Sequence, residues 1–275
     1  MNNLSNYITE KILINKNTVT KQYFYPETLQ ELKDYIDDKT IQAKHGTKSN
    51  PIDLSYIDFS KLQKNKADIS FLCYENNSLR YVDASHWIFS DIDTEYDISG
   101  LFEYSGLKYI DVSYWKLSKS IIDVIGLFRS CEYLEEVVGL NTWDTRYINS
   151  ITGMFSDCYQ LKRIDLSGWD LSNVKKARKS FFMCSSLENI GDTSKFDFSQ
   201  LKTCPGMFQG CKNLKSIKGI ENWSMKSCIN IKDMFNGCIN LSCDLDSWNI
   251  DNTICTNYID ALNDTKIKEP HWYIS

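Results

Sequence analysis

Between Gly153 and Cys184 the apolar positions of the chain follow two rhythms. In LKRIDLSGW, Ile164 and Leu166 alternate with Arg163, Asp165 and Ser167, the period of two that marks a half-buried strand. In NVKKARKSFFMC, Val174, Ala177, Phe181 and Cys184 fall at i, i+3, i+7 and i+10, which is one helical face, and the Ser-Asn pair before it can cap a helix N-terminus. INIKDMFNGC places Ile231, Met234, Phe235 and Cys238 in the same way. The pattern predicts a short strand followed by a short helical segment, neither of which can bury its apolar side alone.

The same pattern recurs. Cys131, Cys158, Cys184, Cys211 and Cys238 are spaced 27, 26, 27 and 27 residues apart. Three residues before each stands a Phe (128, 155, 181, 208, 235) and three after each a Leu (134, 161, 187, 214, 241). An aromatic follows in every copy: Trp143, Trp169, Phe196, Trp223 and Trp248. Looser copies precede these, one with Phe102, Leu107, Trp115 and Ser105 near the Cys position, another with Leu79 and Trp87, and DLSYIDFS from Asp53 echoes DLSGWDLS from Asp165. A truncated copy closes the chain with Leu262, Ile267 and Trp272. A period near 27 predicts an α/β solenoid of about seven repeats, each with one short parallel strand and one short helical segment, stacked around one continuous core.

MFSDCYQLKRIDLSGWDLSNV resembles the repeat of the BspA-like leucine-rich repeat family, whose units read (M/A)-F-x-x-C-x-x-L followed by D-L-S-x-W-D-x-S-N-V. The resemblance runs from about Asp53 to Trp272 and is close over residues 125–250. It implies a leucine-rich-repeat-like fold with a concave parallel sheet. Similar proteins are often bacterial surface or lipoprotein adhesins, and others occur in phage-related genes. The chain lacks the signal or lipobox of the surface members, so a cytoplasmic location is expected as given, and a cell-surface one if a leader has been removed.

Stacked repeats need capped ends. Residues 1–50 do not fit the repeat and predict an N-terminal cap. PETLQELKDYIDD reads as its amphipathic helix, with Pro26 in the first turn, Glu27 suited to the helix dipole, and Leu29, Leu32 and Ile36 on one face. Residues 51–256 form the repeats and 257–275 the C-terminal cap.

The totals narrow the functional classes. A 42% hydrophobic and 13% aromatic content can fill a sizeable core. The net charge of -5 argues against non-specific nucleic-acid binding, and no apolar run reaches the ~20 residues of a membrane span. The GxSxG, HExxH and P-loop patterns are absent, and His45, His86 and His271 stand far apart, so no catalytic residue, metal or cofactor is expected. The cysteine ladder lacks the close pairs of zinc sites. Five equivalent rungs cannot pair evenly as disulfides, and core packing is the expected role. The Trp column is expected as a buried stack, with a row of sugar-stacking platforms as the alternative. DIDTEYD (Asp91, Asp93, Glu95, Asp97) spaces acids like the start of a calcium loop but has Tyr96 and Phe102 where a Gly and a Glu belong. KKARK (Lys175 to Lys179) is expected on the solvated face of a helical segment.

What remains is the outward face of the strands: Tyr81, Asp83 and Ser85; Tyr109, Asp111 and Ser113; Glu136 and Val138; Arg163, Asp165 and Ser167; Ser216 and Lys218. Tyr among mixed charges suits recognition. The Asp column admits two roles, ligand contact or hydrogen bonding to a neighbouring rung. The expectation is a monomeric, non-enzymatic recognition protein that binds a protein or glycan ligand there. A structural or assembly component, phage-related or part of a surface layer, is the alternative.

Overall fold

The computed structural model describes residues 7–14, 17–44, 46–62, 67–89, 96–117, 119, 121 and 123–273, with backbone alone for 7–14, 17–22, 67 and 96. An antiparallel hairpin that the sequence pattern did not predict comes first: β1 (Tyr7–Ile14) and β2 (Asn17–Phe24), with Ile14 opposite Asn17. Helix α1 (Leu29–Ala43) starts three residues after Pro26. Thr28 is its N-cap: the Thr28 hydroxyl accepts the Glu31 amide at 3.1 Å, and the Glu31 carboxylate accepts the Glu27 amide at 2.9 Å. Its buried side is Leu32, Ile36 and Thr40, whereas Leu29, expected on that face, is exposed. The Tyr35 ring stacks on Phe24 at 4.2 Å, and Phe24 bridges to Ile57, which ties hairpin and helix to the start of the repeats.

The copies lie side by side in parallel register. One ladder runs through β3 (Ile52–Asp53), β5 (Tyr81–Asp83), β7 (Tyr109–Asp111) and β8 (Glu136–Val138), pairing Ile52 with Val82, Val82 with Ile110 and Ile110 with Val137. It continues as single bridges from Glu136 to Arg163 to Asn189. A second ladder pairs β4 (Ala67–Asp68) with β6 (Tyr96–Asp97) and runs on as bridges through Asp123, Ser150, Lys176, Thr203, Asn230 and Asn257. A third, shorter row links Asp58, Ile88 and Lys116.

The expected helical segment is absent from the described copies; 174–184 and its counterparts are bridges and turns. Alternate amides go different ways. Those of Met154, Ser156 and Cys158 close three-residue turns onto Ile151, Gly153 and Phe155, while those of Gly153, Phe155 and Asp157 bond the carbonyls of Arg178, Ser180 and Phe182 in the next copy. Two left-handed residues per copy make this possible, Gly153 (φ 62°) and Asp157 (φ 63°), matched by Gly206 (φ 61°) and Gly210 (φ 77°) two copies on. An α-helix cannot contain a left-handed residue every fourth position. The inward residues Ile151, Met154, Phe155 and Cys158 nevertheless keep the 3–4 spacing of a helix, because each turn advances three residues.

The core is a set of columns. Phe102, Phe128, Phe155, Phe181, Phe208 and Phe235 stack with ring centroids 5.1–5.7 Å apart. Trp87, Trp115, Trp143 and Trp169 stack at 5.0–6.0 Å, as do Trp223, Trp248 and Trp272 at 6.0 Å. All seven Trp are buried, which removes the sugar-platform alternative. Each indole N–H is satisfied from the preceding copy: Trp169 donates to the Leu140 carbonyl at 2.8 Å and Trp223 to the Thr193 hydroxyl at 3.0 Å. The cysteines follow the same logic. Cys131, Cys158, Cys184, Cys211 and Cys238 are free thiols whose Sγ donates to the carbonyl of the preceding copy's Phe at 2.9–3.1 Å.

Candidate functional site

The alternation read from the sequence orients the first ladder. Val82, Ile110, Val137, Ile164 and Leu166 are buried. Tyr81, Asp83, Tyr109, Asp111, Glu136 and Val138 are half-buried or exposed on the other side, with Arg163, Asp165 and Ser167 after them. Ser216 and Lys218 lie beyond the last bridge of this ladder, and there the contact between copies is the Thr193 amide donating to the Lys218 carbonyl at 2.9 Å.

The face is not equally open along its length. The turn after α1 reaches across its beginning: the Lys48 ammonium pairs with the Glu136 carboxylate and stands 5.6 Å from the centre of the Tyr109 ring. The hydrogen bond to Glu136 raises the Lys48 pKa above its ordinary value. Gly46 packs against the start of β5, where an added Cβ would come within 3.0 Å of the Tyr81 carbonyl. Tyr81, Tyr109 and Glu136, expected as free contact residues, thus lie under a strap from the N-terminal segment.

The role common to the whole Asp column is local, distinct from both the ligand contact and the bond between rungs that the sequence left open. The carboxylates of Asp83, Asp111 and Asp165 accept the amides of Ser85, Ser113 and Ser167 at 3.0, 2.8 and 2.9 Å, each closing an Asx turn two residues on. Asp53, Asp170, Asp192 and Asp251 repeat the device at other corners. A contact between copies does occur at Asp165, whose second oxygen accepts the Asn141 amide group at 3.0 Å. The recurring D-x-[ST] tripeptide was the sequence signal for these corners.

Past Glu136 the face opens into two adjoining clefts. One of about 950 Å³ runs from Glu135 to Gly191 and includes Glu136, Val138, Asn141, Arg163 and Asp165. The other, about 590 Å³, is lined by Arg163, Glu188, Asn189, Asn213, Lys215, Ser216 and Asn240. Arg163, Glu188 and Asn189 belong to both, so the clefts form one polar groove across successive copies. The Arg163 guanidinium meets Glu188 at 3.2 Å, and the exposed Lys218 ammonium meets Asp192 at 2.6 Å, holding that carboxyl below the usual range. Sequence reasoning chose Glu136, Val138, Arg163, Asp165 and Ser216 in this groove but missed Glu135, Lys162, Glu188 and Lys215. The signal was their shared register: each immediately precedes an outward position of its copy, and their charges alternate in sign along the stack.

One family matches the chain, described as "Mycoplasma protein of unknown function, DUF285", over residues 96–217 and again over 187–259. The two matches overlap and together span more than half of the chain. The chain belongs to the DUF285 family. No curated protein and no solved structure matches it.

Most of the remaining candidate residues of this DUF285 member that are described take structural positions. Burial pushes the thiols of Cys73 and Cys131 up to about 12, and it raises Cys158 and Cys184 in the same direction, far from a reactive thiolate. His86 stacks on Tyr56 at 4.5 Å, and His271 meets Asp246 at 3.3 Å. His45, Asp91, Asp93 and Glu95 lie outside the described residues, whereas Asp97 closes an Asx turn by accepting the Ser99 amide at 2.8 Å. Among the described residues no cluster of three or more His, Cys, Asp or Glu is arranged to hold a metal. Lys175, Lys176 and Arg178 are exposed beside the second ladder, where Lys176 bridges Thr203, with Val174 and Ala177 buried between them. No described helix is long and apolar enough to cross a membrane.

Proposed function

We propose that this DUF285 member is a BspA-like, leucine-rich-repeat-type solenoid that acts without catalysis, binding a protein ligand, or a glycan, along the outward face of its first ladder. The observation that carries this reading is the continuous groove from Glu135 to Asn240, shared by the two clefts and lined by side chains from successive copies. A surface assembled from repeats is extended and polar, with charges of both signs at a fixed rise per copy, which suits an elongated partner better than a small molecule. Arg163, which lines both clefts, is the side chain with most to gain from a carboxylate or a sugar hydroxyl; its present partner Glu188 is half-exposed, and such a pair is cheap to open.

The test is capture of the ligand from the native organism with the whole chain as bait, followed by substitution on the face. Arg163→Glu together with Lys215→Glu is expected to abolish capture and leave the melting temperature within about 2 °C. Loss of Tyr81 and Tyr109, which lie under the Lys48 strap, is expected to have the smaller effect. Capture that survives the double charge reversal places the binding surface elsewhere.

A further inference from the structure

A different edge of the molecule carries a second, chemically narrower site. We infer that the cleft between Tyr104 and Tyr133 receives a basic side chain of a protein partner, a lysine ammonium or an arginine guanidinium, held over the tyrosine rings and neutralised by Glu75 and Glu132. The cleft is about 290 Å³ and lies on the turn edge that follows the Phe column. None of its residues lines the groove on the first ladder.

Three observations converge on it. The first is exposure. Tyr74, Tyr104 and Tyr133 are 42%, 47% and 55% exposed in a protein whose other aromatic columns are buried, and Tyr74 meets Tyr104 edge-on at 5.6 Å. Open tyrosine faces attract cations through the ring quadrupole.

The second is backbone conformation. Glu75 (φ 53°), Tyr104 (φ 58°) and Ser130 (φ 56°) occupy the left-handed position just before the Cys register, which Gly210 and Gly237 fill in later copies. The fold requires that conformation whatever the residue, and glycine adopts it without the Cβ penalty. In this stretch the chain carries side chains there instead, and Glu75, Tyr104 and Ser130 all line the cleft.

The third is charge. No cation lines the cleft. The nearby Arg129 is held by Glu103 at 3.4 Å. Two tyrosines flanking the cleft feel its carboxylates: Tyr74 titrates high chiefly through its hydrogen bond to Glu75, and Tyr159 through burial and then Asp157, with Glu132 adding to it. Both charged residues of the lining are acidic, which suits a cation and disfavours a carboxylate or phosphate.

The experiment uses a fluorescein-labelled hexa-lysine peptide with the full chain, read by anisotropy at about 50 mM and about 300 mM salt, with a hexa-serine peptide as the neutral probe. The expected result is lysine-peptide binding below about 1 mM, weakened about tenfold by Glu75→Gln with Glu132→Gln, and unaffected by the charge-matched pair Glu221→Gln with Glu269→Gln. Tyr104→Gly is the decisive variant. It removes the ring while relieving the left-handed backbone, so the melting temperature is expected to hold or rise as affinity falls at least about threefold. Absence of binding by the unaltered chain, equal loss in both charge-matched pairs, equal affinity for the hexa-serine peptide, or unchanged affinity in Tyr104→Gly would each overturn the site.

Discussion

At the scale of the residue, each recurring side chain does one identifiable task, and the tasks separate cleanly by experiment. The Trp column combines area with a hydrogen bond: Trp169 is 2% exposed, lies between copies and donates to Leu140. Trp169→Ala is therefore expected to cost about 3–5 kcal/mol in denaturant unfolding. The Asx corners contribute less. Asp170 accepts both the Ser172 amide at 2.9 Å and the Ser172 hydroxyl at 2.6 Å, and Asp170→Ala should cost about 1 kcal/mol, whereas Asp170→Asn, which keeps an acceptor, should cost a fraction of that. The buried Cys73 and Cys131 thiols give the molecule an alkaline limit. Their folded pKa is raised from 9.0 to about 12 for Cys131, so the stability this neutral thiol contributes is complete below pH 9. From pH 9 upward the unfolded chain ionises first and that contribution is lost progressively until about 12. A flat unfolding free energy between pH 9 and 11 would contradict the burial of these thiols. The Phe, Cys, Leu and Trp columns were legible because each needs one residue type at a fixed offset. The donor role of Cys was not, since nothing in its spacing distinguishes a thiol that packs from one that also bonds a carbonyl.

At the scale of the element, the turn segment is where sequence and structure part company. Its inward positions repeat at three and four residues, as a helix would, yet the backbone reverses hand twice per copy. Gly126, Gly153 and Gly206, each five residues before a Cys, were the available clue: one Gly inside a helical pattern is tolerable, but the same Gly at one register in several copies argues for positive φ. The two readings predict opposite signs for one substitution. In a helix Gly153→Ala would stabilise by about 1 kcal/mol. At φ 62°, it is expected to destabilise by about 1–2 kcal/mol, measurable as a lowered denaturant midpoint with an unchanged slope. The hairpin and the Lys48 strap were illegible for a different reason. Both depend on the N-terminal segment, which has no repeat to set its register, and the Lys48–Glu136 pair joins residues 88 apart in sequence. That contact also redistributed the candidate site, covering its expected tyrosines and leaving Arg163 in the open groove.

At the scale of the whole molecule, the period governs what the chain tolerates. Each copy bonds chiefly to its two neighbours, so removing one complete unit, residues 159–184, should join equivalent positions and leave a shorter stack with a cooperative thermal transition. Removing half as many consecutive residues, 159–171, would put the Phe column opposite the Trp column and is expected to abolish that transition. Circular dichroism of the two deletions decides the matter, and equal behaviour would count against stacking as the source of stability.

The direction of the bonds between copies has a mechanical consequence. The amides of Gly153, Phe155 and Asp157, and their counterparts in other copies, point along the line that joins one copy to the next. A pull on the two ends acts along those bonds and loads them one copy at a time, so they open as a zipper does and do not share the load as a sheared sheet would. In a single-molecule stretching experiment the chain should yield at low force in a series of near-equal steps, each releasing one period of roughly 90 Å of extended chain. Attached at both ends, such a molecule would act as an extensible tether with graded slack.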